Sequence, residues 1–165
     1  MMKTPRMTPV APHWLPHAVL GAVDGCITSF VVVSGALGGG FGREAILVLG
    51  FANLLADGLS MGVSNFQALY GQQNQRAVPG GLVTYAGFVL GGLPPLLPAL
   101  MGPVDSLGPS ALLAALTFLV IGYTQGRLTH LGVVRATTSL LATGLLAATV
   151  AFGVGRLASQ LVAHP

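Results

Sequence analysis

Two aspartates interrupt long apolar stretches near the start of the chain. Asp24 lies in Gly21-Ala22-Val23-Asp24-Gly25-Cys26-Ile27-Thr28, and Asp57 in Asn53-Leu54-Leu55-Ala56-Asp57-Gly58-Leu59-Ser60-Met61. An aspartate at the centre of a membrane-spanning helix costs about 2.5–3.5 kcal/mol on insertion scales. Such residues turn toward a bundle interior or a water-filled path, and they mark ion or proton routes. At about 100° per residue, Asn53, Asp57, Ser60 and Ser64 fall within a sector of about 60°, with Met61 at its edge. Gly21, Asp24, Thr28 and Gly35 share a narrow face of the preceding stretch by the same arithmetic. Carboxylate and amide oxygens suit hard divalent cations, and a thioether adds softness. The set Asp24, Asn53, Asp57 and Met61 therefore fits a first-row transition ion better than Ca²⁺ or Mg²⁺. The same spacing also fits plain glue, because Asn and Ser hydrogen-bond between membrane helices and methionine is ordinary in their cores.

The elements that must hold these residues follow from composition. Of 165 residues, 7 are Lys or Arg and 4 are Asp or Glu, which makes 7% charged. A soluble domain carries about 25%, so this chain cannot build a solvated shell. Its 53% hydrophobic content excludes disorder, and its single cysteine excludes a disulfide-stapled scaffold. The net charge of +3 comes from scattered residues, which argues against nucleic acid. Glycine, at 24 residues, suits helices packed closely in a bilayer. Apolar runs between charges, prolines and glycine clusters predict an all-α integral membrane protein with five spanning helices. They cover residues 16–39, 44–70, 80–100, 109–128 and 133–162. The connections are too short for a soluble domain, so residues 16–162 read as one membrane domain.

Residues 1–15, with Pro5, Pro9 and Pro12, read as an extended cytoplasmic N-terminus, and Trp14 as an interfacial aromatic. A cleaved signal peptide is disfavoured by Asp24, which also occupies the small-residue place of a lipoprotein box ending at Cys26. With the N-terminus inside, Lys3, Arg6, Arg76, Arg127 and Arg135 are cytoplasmic, and Arg43 and Arg156 are outside. That bias predicts an N-in, C-out topology. Asp24 would then lie about 12 Å and Met61 about 14 Å from the inner helix ends, with Asp57 one turn further out.

Pairs spaced as G-x-x-x-G (Gly21/Gly25, Gly35/Gly39, Gly58/Gly62 and Gly87/Gly91) suit dimerisation or packing within the chain. Pro94, Pro95 and Pro98 predict either a kink lining a cavity or an early end to the third helix. His13, His17 and His130 read as interfacial rather than as ligands, and Cys26 as a small packing residue. No nucleophile elbow, Walker loop or paired CxxC is present, so neither an enzyme nor a bound cofactor is expected.

Several of these segments resemble the vacuolar iron transporter family. Leu20-Gly21-Ala22-Val23-Asp24-Gly25 with Val31-Val32-Val33-Ser34-Gly35-Ala36 resembles its first helix. The run from Leu49 to Gly62 resembles its second helix, Gly91-Gly92-Leu93-Pro94-Pro95-Leu96-Leu97-Pro98 its third-helix proline motif, and Gly144 to Gly155 its last helix. The resemblance implies five helices, a homodimer, and proton-coupled movement of Fe²⁺ or Mn²⁺ out of the cytoplasm. It matches Asp24 and Met61 to the family's translocation-site aspartate and methionine. Three departures stand out. Asn53 replaces the glutamate of the eukaryotic vacuolar type, with Asp57 one turn on as a substitute charge. Asn65 occupies the place of a second glutamate. Gln72-Gln73-Asn74-Gln75-Arg76 contains no acid where those members carry a carboxylate-rich metal-binding segment. The short, Ala/Gly/Leu-rich loops suggest a bacterial inner membrane. The rival expectation is a non-transporting membrane subunit whose aspartates pair with cations of another protein. A passive channel, whose flux ignores a proton gradient, is a third.

Overall fold

The computed structural model describes residues 12–102, 106–128 and 132–163. Five helices account for nearly all of them: α1 Leu15–Gly38, α2 Arg43–Gly71, α3 Ala77–Met101, α4 Gly108–Leu128 and α5 Val133–Ala163. Each is long and apolar enough to cross a membrane. Residues 1–11 and His130 lie outside the described residues, so the extended N-terminus is described only from Pro12, and α1 takes up Leu15 as its first residue.

Local chemistry sets the helix ends. Pro16 stands in the first turn of α1, where its missing N–H costs nothing. At the other end, Gly40 takes a φ of 73°, Phe41 N–H bonds to Ala36 carbonyl at 2.9 Å, and Gly40 N–H to Leu37 carbonyl at 3.1 Å. This is a Schellman closure with glycine at the left-handed position. α2 closes in the same way without glycine. Asn74 N–H reaches Leu69 carbonyl and Gln73 N–H reaches Tyr70 carbonyl, while Gln73 itself carries φ 55°. Gly71, which looked like the helix breaker, is the last helical residue.

α3 runs through Pro94, Pro95 and Pro98 to Met101, so the early-end expectation fails. Its terminal carbonyls are capped from another helix. Arg43 Nε donates to Ala99 carbonyl at 2.6 Å, and its Nη2 to Leu100 carbonyl at 3.1 Å. A cation at a helix C-terminus satisfies both the orphan carbonyls and the negative end of the dipole.

α1 is the centre of the bundle and touches all four other helices, whereas α2 and α5 do not touch each other. Two cores lie on either side of it. Val33, Ile46, Leu54, Phe88 and Leu96 join α1 to α2 and α3. Cys26, Phe30, Ala114, Phe118 and Ala148 join α1 to α4 and α5, so Cys26 does pack as a small core residue. Glycines make the seams. A Cβ at Gly21 or Gly25 would strike backbone atoms of Thr84 or Phe88 on α3, and one at Gly87 or Gly91 would strike Ala18 or Ala22 on α1. Gly38 and Gly155 do the same between α1 and α5. These glycine pairs therefore serve packing within the chain. The outer surface is apolar, with Leu145, Leu146, Val150 and Leu161 exposed on α5, as a lipid-facing helix requires.

Candidate metal centre

α3 fixes how α1 and α2 present their aspartates. Gly25, the residue after Asp24, lies against the backbone of Phe88. Gly58, the residue after Asp57, lies against the Phe88 ring, 3.1 Å from where its Cβ would be. The two Asp-Gly pairs thus meet at a single residue of α3. Gly62 packs one turn further along α2, against Gly81 and Tyr85. The helix-length arithmetic set Asp24 level with Met61. The shared Phe88 contact ties Asp24 to the Asp57 turn as well.

Asp24 is half-buried on α1, and Asp57 is exposed on α2. Because the glycines that follow them both pack on Phe88, the two acids are set at the same level of α3. The backbone carbonyl of Asp24 accepts the Thr28 hydroxyl at 2.9 Å, which leaves the carboxylate free of its own helix neighbour. Met61 is half-buried and packs against the Val33–Leu54–Phe88 core. Ser60 and Ser64 are exposed along the same helix.

Asn53 faces different surroundings. It lines a groove of about 1120 Å³ between α2 and α5, floored by α1, together with Val32, Gly35, Leu49, Ala147 and Ala151. Its amide nitrogen is buried and has no hydrogen-bond partner among the described residues. A buried amide left unpaired costs on the order of 1–3 kcal/mol, so this nitrogen is a group awaiting a partner. Among the described residues, no three His, Cys, Asp or Glu side chains converge. The four candidate ligands are therefore split. Asp24 and Asp57 are tied together through Phe88, Met61 packs into the core one turn on from Asp57, and Asn53 lines the groove.

One polar cluster escaped the sequence reading. His17 is half-buried, and its Nδ1 lies 3.0 Å from Asn65 Nδ2. Asn65 also donates to Thr84 Oγ1 at 2.7 Å and to Gly80 carbonyl at 3.2 Å. His17 is thus held by Asn65, a contact that its reading as an interfacial non-ligand did not include, whereas His13 is exposed. A signal was available: His17, Gly21 and Asp24 share one face at helical spacing.

Comparison with known proteins agrees with this architecture. The model of the VIT family matches residues 15–77 and 68–156. Vacuolar iron transporter homolog 3 of Arabidopsis thaliana is 27% identical over 88% of this chain and 83% of its own length. The vacuolar iron transporter of Toxoplasma gondii is 34% identical over 36% of this chain, and that of Plasmodium falciparum is 34% identical over the same share. The chain aligns with only 20% of the length of the Toxoplasma protein and 22% of the Plasmodium one. With the family model covering five packed helices from the start of α1 into α5, the chain belongs to the VIT family.

Proposed function

We propose that this chain is a divalent transition-metal transporter that moves Fe²⁺ or Mn²⁺ out of the cytoplasm in exchange for protons. One observation carries the reading: in a VIT-family bundle, two aspartates on neighbouring helices are each followed by a glycine that packs on the same α3 residue, Phe88, one acid half-buried and one open. Like charges held together are relieved either by a divalent cation or by protons. Metal and protons then compete for the same oxygens, which is the physical basis of exchange. Asn53 and Met61 supply neutral donors, and the thioether favours a first-row transition ion. The relatives' names, vacuolar iron transporter and its homologs, support iron as the cargo. With no acid between Gln72 and Arg76, the metal loads directly into the membrane site.

The working unit in this reading is a homodimer in a bacterial cytoplasmic membrane, N-terminus inside. The exposed Asp57 supports the dimer, because a second copy against this face brings further oxygens to a carboxylate that one chain leaves open. The same exposed carboxylate supports the rival, a non-transporting subunit that pairs Asp57 with a cation of another protein.

The test is metal uptake into proteoliposomes holding the purified protein, with Fe²⁺, Mn²⁺ and Mg²⁺, each with and without a pH gradient. The expected result is gradient-dependent Fe²⁺ or Mn²⁺ flux that Asp24→Asn abolishes. Flux indifferent to the gradient assigns a channel. Folded, dimeric protein with no flux assigns the partner-subunit role.

A further inference from the structure

The His17 cluster plays no part in the metal reading, yet it ties three helices together. Asn65 Nδ2 reaches His17 Nδ1 on α1, and Thr84 Oγ1 and Gly80 carbonyl on α3. The Thr84 hydroxyl donates to the same Gly80 carbonyl at 3.0 Å. These contacts fix the direction of every bond. A carbonyl only accepts, and a hydroxyl whose proton is already committed offers its lone pairs. The atom facing both must be the Asn65 nitrogen. The nitrogen has two N–H protons for three acceptors: one is shared between Thr84 Oγ1 and Gly80 carbonyl, which lie 3.0 Å apart, and the other is presented to His17, so Nδ1 accepts and the ring carries its proton on Nε2. Gly80 makes the fit possible, since a Cβ there would meet Leu69 and stand 3.6 Å from His17 Nε2.

A second proton on the ring would go to Nδ1 and turn the acceptor into a donor facing a donor. Flipping the Asn65 amide does not repair this, because its oxygen would then face the Gly80 carbonyl. Against the ring, Asn65 from α2 makes a hydrogen bond and Gly80 of α3 lies alongside; neither titrates. The nearest titratable residues along the chain are His13, one turn before and ahead of α1, and Asp24, two turns on.

We propose that His17, Asn65 and Thr84 form a proton-released latch, which holds the N-terminal turns of α1 against α2 and α3 while His17 is neutral and frees them when it is protonated. The latch lies about 10 Å along α1 from Asp24, and Asn65 is one turn from Met61. Release therefore loosens the bundle on the side of the candidate site where α1 and α3 begin and α2 ends. Its role as a gate for metal rests on the transport reading; the latch itself does not.

The experiment is hydrogen exchange by mass spectrometry on the full chain in lipid nanodiscs, from about pH 8 to about pH 5, the range in which histidine ordinarily changes charge. Rates are corrected for intrinsic pH dependence. Protection of residues 18–23 is expected to fall about threefold to tenfold on acidification, the factor that one net hydrogen bond supplies. His17→Ala should be loose at both ends of the range, and His13→Ala should respond as the parent does. In Asn65→Asp the carboxylate accepts from a protonated ring, so the response should reverse. Protection that is flat with pH in the parent, or a response that survives in His17→Ala, overturns the latch. Nitrogen NMR of labelled histidine keeps the test sharp if a variant fails to fold: at about pH 8 the parent must show His17 protonated on Nε2, and an Nδ1–H tautomer overturns the proposal. A pH response without metal flux would overturn the transport reading alone. Flux without the response would overturn the latch alone.

Discussion

Along the seam between α1 and α3, each helix offers glycines to the other: Gly21 and Gly25 accept the backbone of Thr84 and Phe88, and Gly87 and Gly91 accept Ala18 and Ala22. Across the groove between α2 and α5, the walls are also small residues, Ala52, Ala56, Ala147 and Ala151, yet the helices never meet. In a bilayer no hydrophobic force pulls helices together, so close van der Waals approach must do it. Alanine rows hold backbones a methyl group apart, while matched glycine rows let them touch. The seam accordingly carries stability, and the open side carries Asn53, with the exposed Asp57 further along the same helix. Polar donors can stay underbonded there because the packing that holds α1 in place lies elsewhere.

The sharpest way to break that contrast is to add a side chain on each side. Gly25→Val puts carbon where the Phe88 carbonyl stands, and helix backbone cannot give way as a side-chain tip can. We expect a loss of 3 kcal/mol or more, at the upper end of about 1–3 kcal/mol for overpacking, seen as failure to purify as a monodisperse species. Gly153→Ala on α5 meets no atom within 4 Å and should leave the melting temperature in place. Equal tolerance at the two positions would remove the distinction between the glycine seam and the open surface of α5.

Next in size are the aspartates. Asp24→Asn and Asp57→Asn keep shape and remove charge, so thermal stability should hold while Fe²⁺ or Mn²⁺ flux in proteoliposomes falls by at least about tenfold, since even indirect supports of a metal cost 10–100-fold. Asp57→Asn tests the point most directly, because an exposed residue on one chain has no folding role to lose. A variant that transports normally would remove that aspartate from the site.

How far the sequence alone reaches differs between these regions too. The five helices were legible to within three residues at each end, because apolar runs and glycine or proline breaks are local signals. Whether α3 runs on through its three prolines or stops at them was not, and neither was its cap: Arg43, 56 residues from Ala99, reaches across to that end. The candidate aspartates announced themselves by being charged in apolar segments. The His17–Asn65 contact did not, because its partners are 48 residues apart and each is ordinary in its own helix.

Arg43 supplies the next test. Arg43→Ala leaves the Ala99 and Leu100 carbonyls without their donor. These ends lie where water can replace part of the lost bonding, so the cost should be about 1 kcal/mol, or about 2–4 °C in melting temperature. Arg43→Lys should recover only part of it, because an ammonium lacks the forked geometry that reaches two adjacent carbonyls. An unchanged melting temperature would mean that α3 holds its end by packing alone.

The smallest effect belongs to Met61, which stands on both sides of the comparison. It packs against the Val33–Leu54–Phe88 core, yet it follows Asp57 by one turn. Met61→Leu keeps the volume and removes the sulfur, so stability should move by less than about 1.5 kcal/mol. If the thioether is a donor, flux of Fe²⁺ and Mn²⁺ should fall by about threefold while any Mg²⁺ leak stays constant, because a hard ion gains nothing from sulfur. If Met61 only fills space, all three ions should be unaffected. The ratio of fluxes is therefore the measurement to read: a fall in Mn²⁺ over Mg²⁺ assigns the sulfur to the ion path, and a constant ratio assigns it to the core that keeps α2 against α3.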